Sequence, residues 1–524
     1  MPHTDLFQDF NLMQRDILIA FKPLYGDHTA LNQAAVLSSV LKEYLIDQRF
    51  HCFVGDNASN NDNGLIGGLS QSLGLELSMD VRVRCVGHII NLIVKAALYG
   101  EDASTFEKEL EQAAPRDQFQ LFRKFGVVGK LHNFVRAVLS SNKRREQFIN
   151  TQKQLALEDA VWTFGTLNLR LDGGIRWHSI YLMLLRCREL KDPINRFINA
   201  ARKTRGDDGY DPLRDGLTDD EWDEVTELVD FLEIFYEITL RLEGNASKSG
   251  YGSLWQCVVN LQLLEEALRK RADQASSLED EPTYLTSCVA FAQAKLTTYW
   301  GKLVLDREIS YPCVATILHP KLRISWFKDH WRRHPLWYKK AEKSMKAVFE
   351  QYLSQEDDHT QHVNLSQTLR HKLPSDSRWE QALAVDLSLL TGHKGHKRAR
   401  KVNELELYYD TLLDDLTAAE AEKEQMGEAH VPLIDRPFDW WRQVGQKQYP
   451  VLFKISLDYL SIPATSCETE RVFSTAKRTI TVDRNALSAT TIESLQLQKN
   501  WLRNGIVNST LNDLTQVIDG RKVA

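Results

Sequence analysis

Two acidic residues stand where a carboxylate could bind a metal ion. Asp56 follows an apolar segment, residues 49–54, that is typical of a buried strand and ends at Gly55. Open α/β sheets bind ligands at the carboxyl ends of their strands. Glu470 lies one turn inside a helix that a capping box at Thr465 would start. The two carboxylates could share Mg²⁺, which prefers oxygen ligands. Taken alone, each has a simpler explanation: an Asx turn for Asp56 and a solvated helical side chain for Glu470.

Two further pairs carry side chains with known binding chemistry. Cys85 and His88 form a Cys-x-x-His pair at a predicted strand-to-helix junction, which is half of a zinc site at most. No partner pair with ligand spacing follows, so a packed cysteine with a hydrogen-bonding histidine is favoured. Arg176 and Trp177 follow a glycine-rich turn. They could bind a phosphate and stack on a base, while the alternative is a tryptophan that anchors helix packing.

Nucleic-acid binding would need a local basic surface, because the formal net charge of the chain is −6. The first candidate is the run Lys143, Arg144 and Arg145. Two other clusters lie at residues 394–401 and 477–484, and the run 393–401 is also a weak candidate for a nuclear-import signal. The alternative for each cluster alone is an ordinary solvated surface.

The elements that must position these residues begin with an α/β segment. Apolar runs predict strands at residues 16–21 and 49–54, with an amphipathic helix at 31–47 between them. Residues 81–85 alternate apolar and arginine side chains, which predicts a half-buried strand. A helix from His88 to Tyr99 follows.

Helical periodicity dominates the rest of the chain. Residues 222–243 and 254–272 predict long helices, with polar loops such as 354–376 between helical segments. Near the carboxyl end, residues 449–460 are apolar on most faces, with Pro450 as a first helical residue. A second capping box is predicted at Thr490 and Glu493. The predicted units are residues 1–87, 88–435 and 436–524.

Composition restricts the class of protein. The chain has 524 residues and is 43% hydrophobic, which is enough for large cores. Its seven cysteines are scattered and odd in number, which favours a reducing compartment, the cytosol or the nucleus. No secretory signal is predicted, and no run approaches the roughly 20 apolar residues of a membrane span.

Taken in order, the motifs resemble those of the hAT superfamily of cut-and-paste DNA transposases over nearly the whole chain. The tail carries the most specific part of this resemblance, to the family's C-terminal dimerisation region. The matching segments are Gly55–Asp62, Cys85–Leu92, Arg176–Tyr181, Tyr459–Ser466, Glu470–Ser474 and Arg484–Leu487.

The resemblance implies an RNase H-like mixed sheet interrupted by a large helical insertion, with a helical dimerisation region at the end. It assigns Asp56 and Glu470 to the second and third positions of an Asp-Asp-Glu triad that binds Mg²⁺. Such ions activate water or a 3′-hydroxyl and stabilise the leaving oxygen. Arg176 and Trp177 would shape the DNA end, supported by Cys85 and His88. The implied partners are DNA and a second copy of the chain, in the nucleus.

The sequence departs from the family pattern in two places. The family's first aspartate lies in an Asp-x-Trp-Thr-like motif well upstream of the second. Here only 55 residues precede Asp56, and neither Asp5, Asp9 nor Asp16 lies in such a motif. The family's N-terminal zinc finger is not found in the sequence either.

We therefore expect a truncated transposase that self-associates and contacts DNA weakly, in a salt-sensitive way, while its cleavage chemistry is impaired. One alternative is a co-opted dimerisation or DNA-associated regulator without catalysis. Another is an active transposase whose recorded start is too late. Self-association is predicted to use the C-terminal region, because residues 449–460 are apolar on most faces, with full burial of these residues in a single core as the alternative.

Overall fold

The computed structural model describes twelve stretches of the 524-residue chain. They are residues 17–58, 62–100, 115–158, 166–172, 177–200, 210–243, 252–276, 283–370, 403–410, 437–480, 487–504 and 506–507. The helices within these stretches lack the length and apolar character that a bilayer span requires.

Two short parallel strands make up the sheet of the described residues. A helix, α1 (Ala30–Glu43), precedes β1 (Phe53–Gly55), and a second helix, α2 (Asn63–Leu73), leads to β2 (Arg82–Arg84). Val54 and Val83 are paired in register. Because the strands are parallel, their carboxyl ends lie at the same edge, where ligands of open α/β sheets bind.

The helices α1 and α2 approach closely because glycines take the place of larger residues at their contact. A Cβ atom on Gly64 would lie 2.6 Å from the Cβ of Ala30, and one on Gly68 would lie 2.8 Å from the Cβ of Ala34. Thr29 starts α1, since its side chain accepts a hydrogen bond from the backbone N–H of Asn32. The pair forms a small apolar cluster of its own next to β1.

The remaining elements are helical, which confirms the predicted large helical block. They are α3 (Val86–Tyr99), α4 (Pro115–Arg123), α5 (Gly126–Leu139), α6 (Asn142–Glu158), α7 (Trp177–Glu189), α8 (Lys191–Ala200), α9 (Asp219–Glu243), α10 (Trp255–Ser276), α11 (Tyr284–Trp300), α12 (Tyr311–Ile317), α13 (Arg323–His330), α14 (Pro335–Arg370), α15 (Glu404–Asp410), α16 (Pro437–Trp440), α17 (Gln446–Gln448), α18 (Pro450–Leu460), α19 (Cys467–Thr479) and α20 (Ala489–Arg503). Short 3₁₀ turns occur at Asp47–Arg49, Met79–Val81 and Pro212–Asp215, and π-helical turns at Gly301–Leu305 and Trp441–Gly445. The predicted loop at 354–376 is wrong for residues 354–370, because α14 continues through residue 370, and residues 371–376 lie outside the described residues.

One hydrophobic core joins these helices to the strands. Its buried residues run from Ile66 in α2 to Ala464, just before α19. The largest of them include four fully buried tryptophans: Trp222, Trp300, Trp331 and Trp441. The three predicted units therefore share a core, while their boundaries stay a prediction.

The predicted strand at 16–21 is wrong for residues 17–21, which form no strand. Two of their backbone N–H groups donate to side chains of α20. The N–H of Leu18 donates to Asn500 Oδ1 at 2.9 Å, and the N–H of Phe21 donates to Glu493 Oε1 at 3.1 Å. This extended segment is fastened to a helix near the other end of the chain.

The predicted half-buried strand at 81–85 is also corrected, because all three residues of β2 are buried. Arg82 is 1% exposed. Its guanidinium donates to the carbonyl oxygens of Gly55 and Asp56, which lie at the end of β1. Burial of this arginine is therefore compensated by backbone acceptors of the neighbouring strand.

The two predicted capping boxes are misplaced. The N-cap of α19 is Ser466, not Thr465, and its side chain makes no capping hydrogen bond. The N-cap of α20 is Ser488, whose hydroxyl accepts from the N–H of Thr491. Glu493, which was predicted to close the second box, instead accepts from Phe21.

The helix α18 begins at Pro450 and ends before Pro463, as predicted. Its apolar side chains do not form a surface, however. Val451, Leu452, Ile455 and Leu460 are buried in the shared core. The alternative of burial in a single core therefore describes residues 449–460. Their apolar faces do not supply the reason for the predicted self-association of the C-terminal region.

Candidate active site at the strand ends

Asp56 is the first residue after β1, and its backbone is held in place from two sides. Its side chain is exposed and its Oδ1 accepts a hydrogen bond from the N–H of Ala58 at 3.1 Å. This is the Asx turn that the sequence favoured. Arg82 binds the carbonyl oxygen of Asp56. The carboxylate therefore projects from a fixed turn at the edge where both strands end.

Cys85 connects this edge to the carboxyl-terminal part of the chain. Its N–H donates to the carbonyl oxygen of Gly55 at 2.9 Å, and its Sγ accepts from the N–H of Ser466 at 3.3 Å. The N–H of Val86 donates to the carbonyl oxygen of Ala464 at 2.9 Å. These bonds place the start of α19 beside the end of β1.

Glu470 lies in the first turn of α19 and is half-buried. The charges of Glu470 and Asp56 both act on His88, a half-buried residue in the first turn of α3. Burial lowers the pKa of His88, while the negative charges of Asp56 and Glu470 act in the opposite direction. The two carboxylates proposed for the metal site are therefore both close enough to one imidazole to influence its protonation.

The described residues do not by themselves form a complete metal centre. No group of three or more His, Cys, Asp or Glu side chains in the described ranges could hold a metal ion. Mg²⁺ is often held by one or two carboxylates together with water and substrate phosphates. Asp56 and Glu470 are the residues that would hold it, and Mg²⁺ itself stays a prediction.

We expect the pKa of His88 to fall further when either carboxylate is neutralised. The substitutions Asp56→Asn and Glu470→Gln each remove a negative charge that stabilises the imidazolium, so the protonated form becomes less favourable. The measurement is a pH titration of ¹³C-labelled histidine by NMR, with the His88 signal assigned through His88→Gln.

Glu468→Gln is the matched control for this titration. Glu468 lies on the same turn, but its carboxylate is paired with Arg471 and it is not among the charges that act on His88. We expect it to leave the titration unchanged. If Asp56→Asn and Glu470→Gln had no larger effect than Glu468→Gln, the convergence of the two carboxylates on His88 would be disproved.

The structure gives Trp177 the packing role that was the alternative to base stacking. It is 3% exposed and packs edge-on against Phe235, with ring centroids 6.2 Å apart. Its backbone N–H donates to Asn91 Oδ1 at 3.5 Å. The prediction that Trp177 stacks on DNA is therefore not supported. Arg176 lies outside the described residues.

Two of the three basic residues at the start of α6 bind the end of the preceding helix. Arg144 donates to the carbonyl oxygen of Ala137 at 3.2 Å, and Arg145 donates through Nε to that of Leu139 at 2.7 Å. The guanidinium of Arg144 also lies over the ring of Tyr210. Lys143 is exposed. Arginine bonds to the last carbonyls of α5 stabilise that helix end, so the contact of this run with DNA stays a prediction.

Two family models match parts of the chain. Residues 423–502 match the hAT family C-terminal dimerisation region, and residues 83–231 match the ZBED1 RNase-like helical domain. The first region contains α18, α19 and nearly all of α20, and therefore Glu470. The second contains Cys85 and His88, while Asp56 lies outside both.

The chain is similar to proteins named as a transcriptional regulator, a transposase and a zinc finger protein. The chain is 24% identical to "Putative transcriptional regulator tpeD" of Talaromyces stipitatus, over 95% of the chain and 51% of the relative. It is 22% identical to "Putative AC transposase" of Zea mays, over 94% and 53%. It is 21% identical to "Zinc finger BED domain-containing protein DAYSLEEPER" of Arabidopsis thaliana, over 65% and 42%. The chain spans about half the length of the curated relatives it matches.

Sequence reasoning missed the two buried arginines of β2. Arg84 donates to Asp62 Oδ2 at 3.1 Å and to Asn57 Oδ1 at 3.4 Å, so it ties the turn after Asp56 to the start of α2. The sequence carried one signal that these arginines are buried: both flank an apolar residue directly before Cys85. Their alternation was interpreted as a solvent-facing side of the strand.

Proposed function

We propose that this chain is a transposase-derived member of the hAT family that self-associates through its C-terminal region and binds DNA. In this proposal Asp56 and Glu470 are the carboxylates of an RNase H-like strand-cleavage site, and His88 and Cys85 hold the two parts of that site together. Two observations carry the proposal: the hydrogen bond from Ser466 to Cys85, which sets the start of α19 beside the end of β1, and the action of both carboxylate charges on His88. The expected compartment is the nucleus.

We further propose that cleavage by this chain is weak. The described residues contribute two carboxylates to the site, and Asp56 is exposed. In-line attack on a phosphodiester needs reacting groups held in near-ideal geometry, and loosened positioning lowers the rate steeply. Binding of Mg²⁺ without efficient turnover is therefore the expected behaviour.

The test is a cleavage assay in Mg²⁺ or Mn²⁺ on DNA that carries the cognate element ends. We expect at most slow cleavage by the unmodified chain, and none by Asp56→Asn or Glu470→Gln. Glu468→Gln, the neighbouring carboxylate paired with Arg471, is expected to behave like the unmodified chain. Robust cleavage that both substitutions abolish would show that the site is complete and that the proposed impairment is wrong. Cleavage unaffected by either substitution would refute the assignment of the two carboxylates.

The surface proposed for self-association is formed by α19, α20 and the residues just after them. Six of the twenty exposed large hydrophobic side chains of the described chain lie in this short stretch. They are Phe473, Ile480, Leu495, Leu502, Ile506 and Val507. Large exposed apolar side chains concentrated in one region indicate a protein interface. This surface replaces the buried α18 as the proposed contact.

A regulatory protein without catalysis is the second candidate function. It is favoured by the relative named as a transcriptional regulator, which matches 95% of the chain. Such a protein would still self-associate and bind DNA. The same cleavage assay separates the two candidates, because a non-catalytic regulator would give no cleavage with any metal ion while DNA binding persists.

A further inference from the structure

A small electropositive cavity lies beside β2. None of the residues that line it has a chemical role in the proposed cleavage site. Four cationic side chains line it, those of Arg82, Arg84, Lys302 and Arg307, and one carboxylate, that of Asp80. The cavity has a volume of about 10 Å³, which is room for a single water-sized group. Its walls come from β2 and from the segment between α11 and α12.

The one carboxylate in the lining is already bound by the backbone. Asp80 accepts from the N–H of Glu308 and from the N–H of Ile309, both at 3.0 Å. Asp62, outside the lining, lies 3.1 Å from Arg84 Nη2 and 3.6 Å from Arg82 Nε. Asp56 and Asp306 also act on the arginines from further away. Within the cavity itself positive charge is therefore in excess.

Part of this positive charge lacks a hydrogen-bond acceptor. The Nε atoms of Arg82 and Arg84 are buried and have no hydrogen-bond partner among the described residues. Burial, together with the neighbouring Arg84, lowers the pKa of Arg82 to about 10, and the same two causes lower the pKa of Arg307. Arginines that crowd in this way are stabilised by a bound anion, because buried donors left unpaired are costly.

We propose that this cavity is a phosphate-binding site, in which one phosphate oxygen enters between Arg82 and Arg84 while Lys302 and Arg307 bind the rest of the group. Lys302 and Arg307 are the less buried of the four, so they stand where a phosphate would approach from solvent. Guanidinium groups match phosphate geometry well and bind it with charge-assisted hydrogen bonds. The cavity admits one oxygen only, so the remainder of the ligand stays at the surface.

The phosphate could belong to a nucleic-acid backbone or to a small phosphate-bearing molecule. The position of the cavity connects it to the carboxylate edge, because Arg82 also binds Asp56 and Arg84 binds Asn57. The same two arginines therefore line the cavity and hold the turn that carries Asp56. The proposed phosphate site does not depend on the proposed cleavage function, because inorganic phosphate alone is enough to test it.

The test compares a double variant of the full chain, Lys302→Gln with Arg307→Gln, with a control of equal charge change, Arg333→Gln with Lys343→Gln. Both control residues are exposed. Inorganic phosphate at 50 mM, against chloride of equal ionic strength, is expected to raise the Tm of the unmodified chain and the control by roughly 1–3 °C. The double variant should lose this rise. The single variant Lys302→Gln provides the same comparison if the double variant does not fold.

A second measurement identifies the source of the phosphate. The salt dependence of binding to a labelled 20-base-pair duplex is followed by fluorescence anisotropy, and the loss of two phosphate contacts should reduce the slope of log K against log salt by about 2. If the double variant loses the Tm rise and also shows the reduced slope, the ligand is a nucleic acid. Loss of the Tm rise alone supports a small phosphate-bearing ligand. An equal phosphate response in the double variant and its control would overturn the proposal. If the chain bound no DNA while the phosphate response depended on Lys302 and Arg307, the proposed DNA function would fail and the phosphate site would stand.

Discussion

Replacing both Phe473 and Leu495 by glutamate is expected to leave the full chain monomeric at micromolar concentration. The two side chains are 59% and 41% exposed and lie on α19 and α20, inside the matched dimerisation region. If a second copy of the chain covers these positions, each introduced glutamate would be buried in the interface as an unpaired charge. Loss of a central apolar contact costs about 2 kcal/mol or more, so the pair should raise the dimer Kd by roughly a thousandfold. Light scattering coupled to size exclusion measures the change.

The control pair carries the same substitutions elsewhere on the surface. Leu157 and Leu336 are 89% and 71% exposed and lie outside the dimerisation region. Leu157→Glu with Leu336→Glu should leave the oligomer intact. Phe473 also packs against Phe21, with ring centroids 5.3 Å apart, so Leu495→Glu alone tests the surface without disturbing that contact. A monomeric unmodified chain, or an oligomer that survives the Phe473 and Leu495 pair, would contradict the proposed surface.

Replacing Asp215 by alanine is expected to reduce the free energy of unfolding by roughly 3–5 kcal/mol, the usual cost of removing one partner of a buried ion pair. Asp215 is fully buried. Arg123 binds it through Nε at 2.7 Å and Nη2 at 2.9 Å, and Asn133 Nδ2 lies 3.3 Å away. The pairing raises the pKa of Arg123. Alanine would leave a charged guanidinium and an amide without their acceptor.

Urea unfolding, followed by circular dichroism, measures this loss. Glu158→Ala is the matched control, because Glu158 accepts the same two-bond pairing from Arg196 but on the exposed surface. Exposed ion pairs contribute little, since water solvates both partners. Asp215→Asn should fall between the two, because it keeps the shape and part of the hydrogen bonding. Equal unfolding midpoints for Asp215→Ala and Glu158→Ala would rule out a stabilising role for the buried pair.

The long helices could be predicted from sequence because their signal is local. Residues 222–243 and 254–272 repeat apolar side chains at helical spacing, and the structure has α9 and α10 over these ranges with a few residues added. The predicted first helix ran too far, to residue 47. It ends at Glu43 because Leu45 adopts a φ of +56°, a conformation that α-helices do not continue through.

Other elements depended on contacts that sequence spacing does not contain. The apolar run at 17–21 has the composition of a strand, but its backbone partners are side chains of α20. The arginines of β2 alternate with an apolar residue, as side chains of a solvated face do. Instead, Arg82 donates to backbone oxygens at the end of β1, and Arg84 donates to the side chains of Asn57 and Asp62. The apolar faces of α18 fitted an interface and a core equally well, and the neighbouring packing decided for the core.

The candidate site was predictable in its residues but not in its assembly. Asp56 and Glu470 came from motif positions in the hAT resemblance. The hydrogen bond from Ser466 N–H to Cys85 Sγ joins the two parts of the chain that carry them, and both carboxylate charges act on His88. The phosphate cavity could not be predicted, because Lys302 and Arg307 lie far from β2 in the sequence and carry no motif.

The contacts between residues 17–22 and α20 can form only after the ribosome has synthesised that helix. The N–H of Leu18 binds Asn500, 482 positions later in the chain, and the indole of Trp501 donates to the carbonyl oxygen of Leu18. Ribosomes add roughly 5–20 residues per second, so the early segment waits on the order of 25–100 s for its partner helix. Cys85 waits nearly as long for Ser466. A nascent chain released before Ser466 is made would carry both strands and Asp56, but not Glu470.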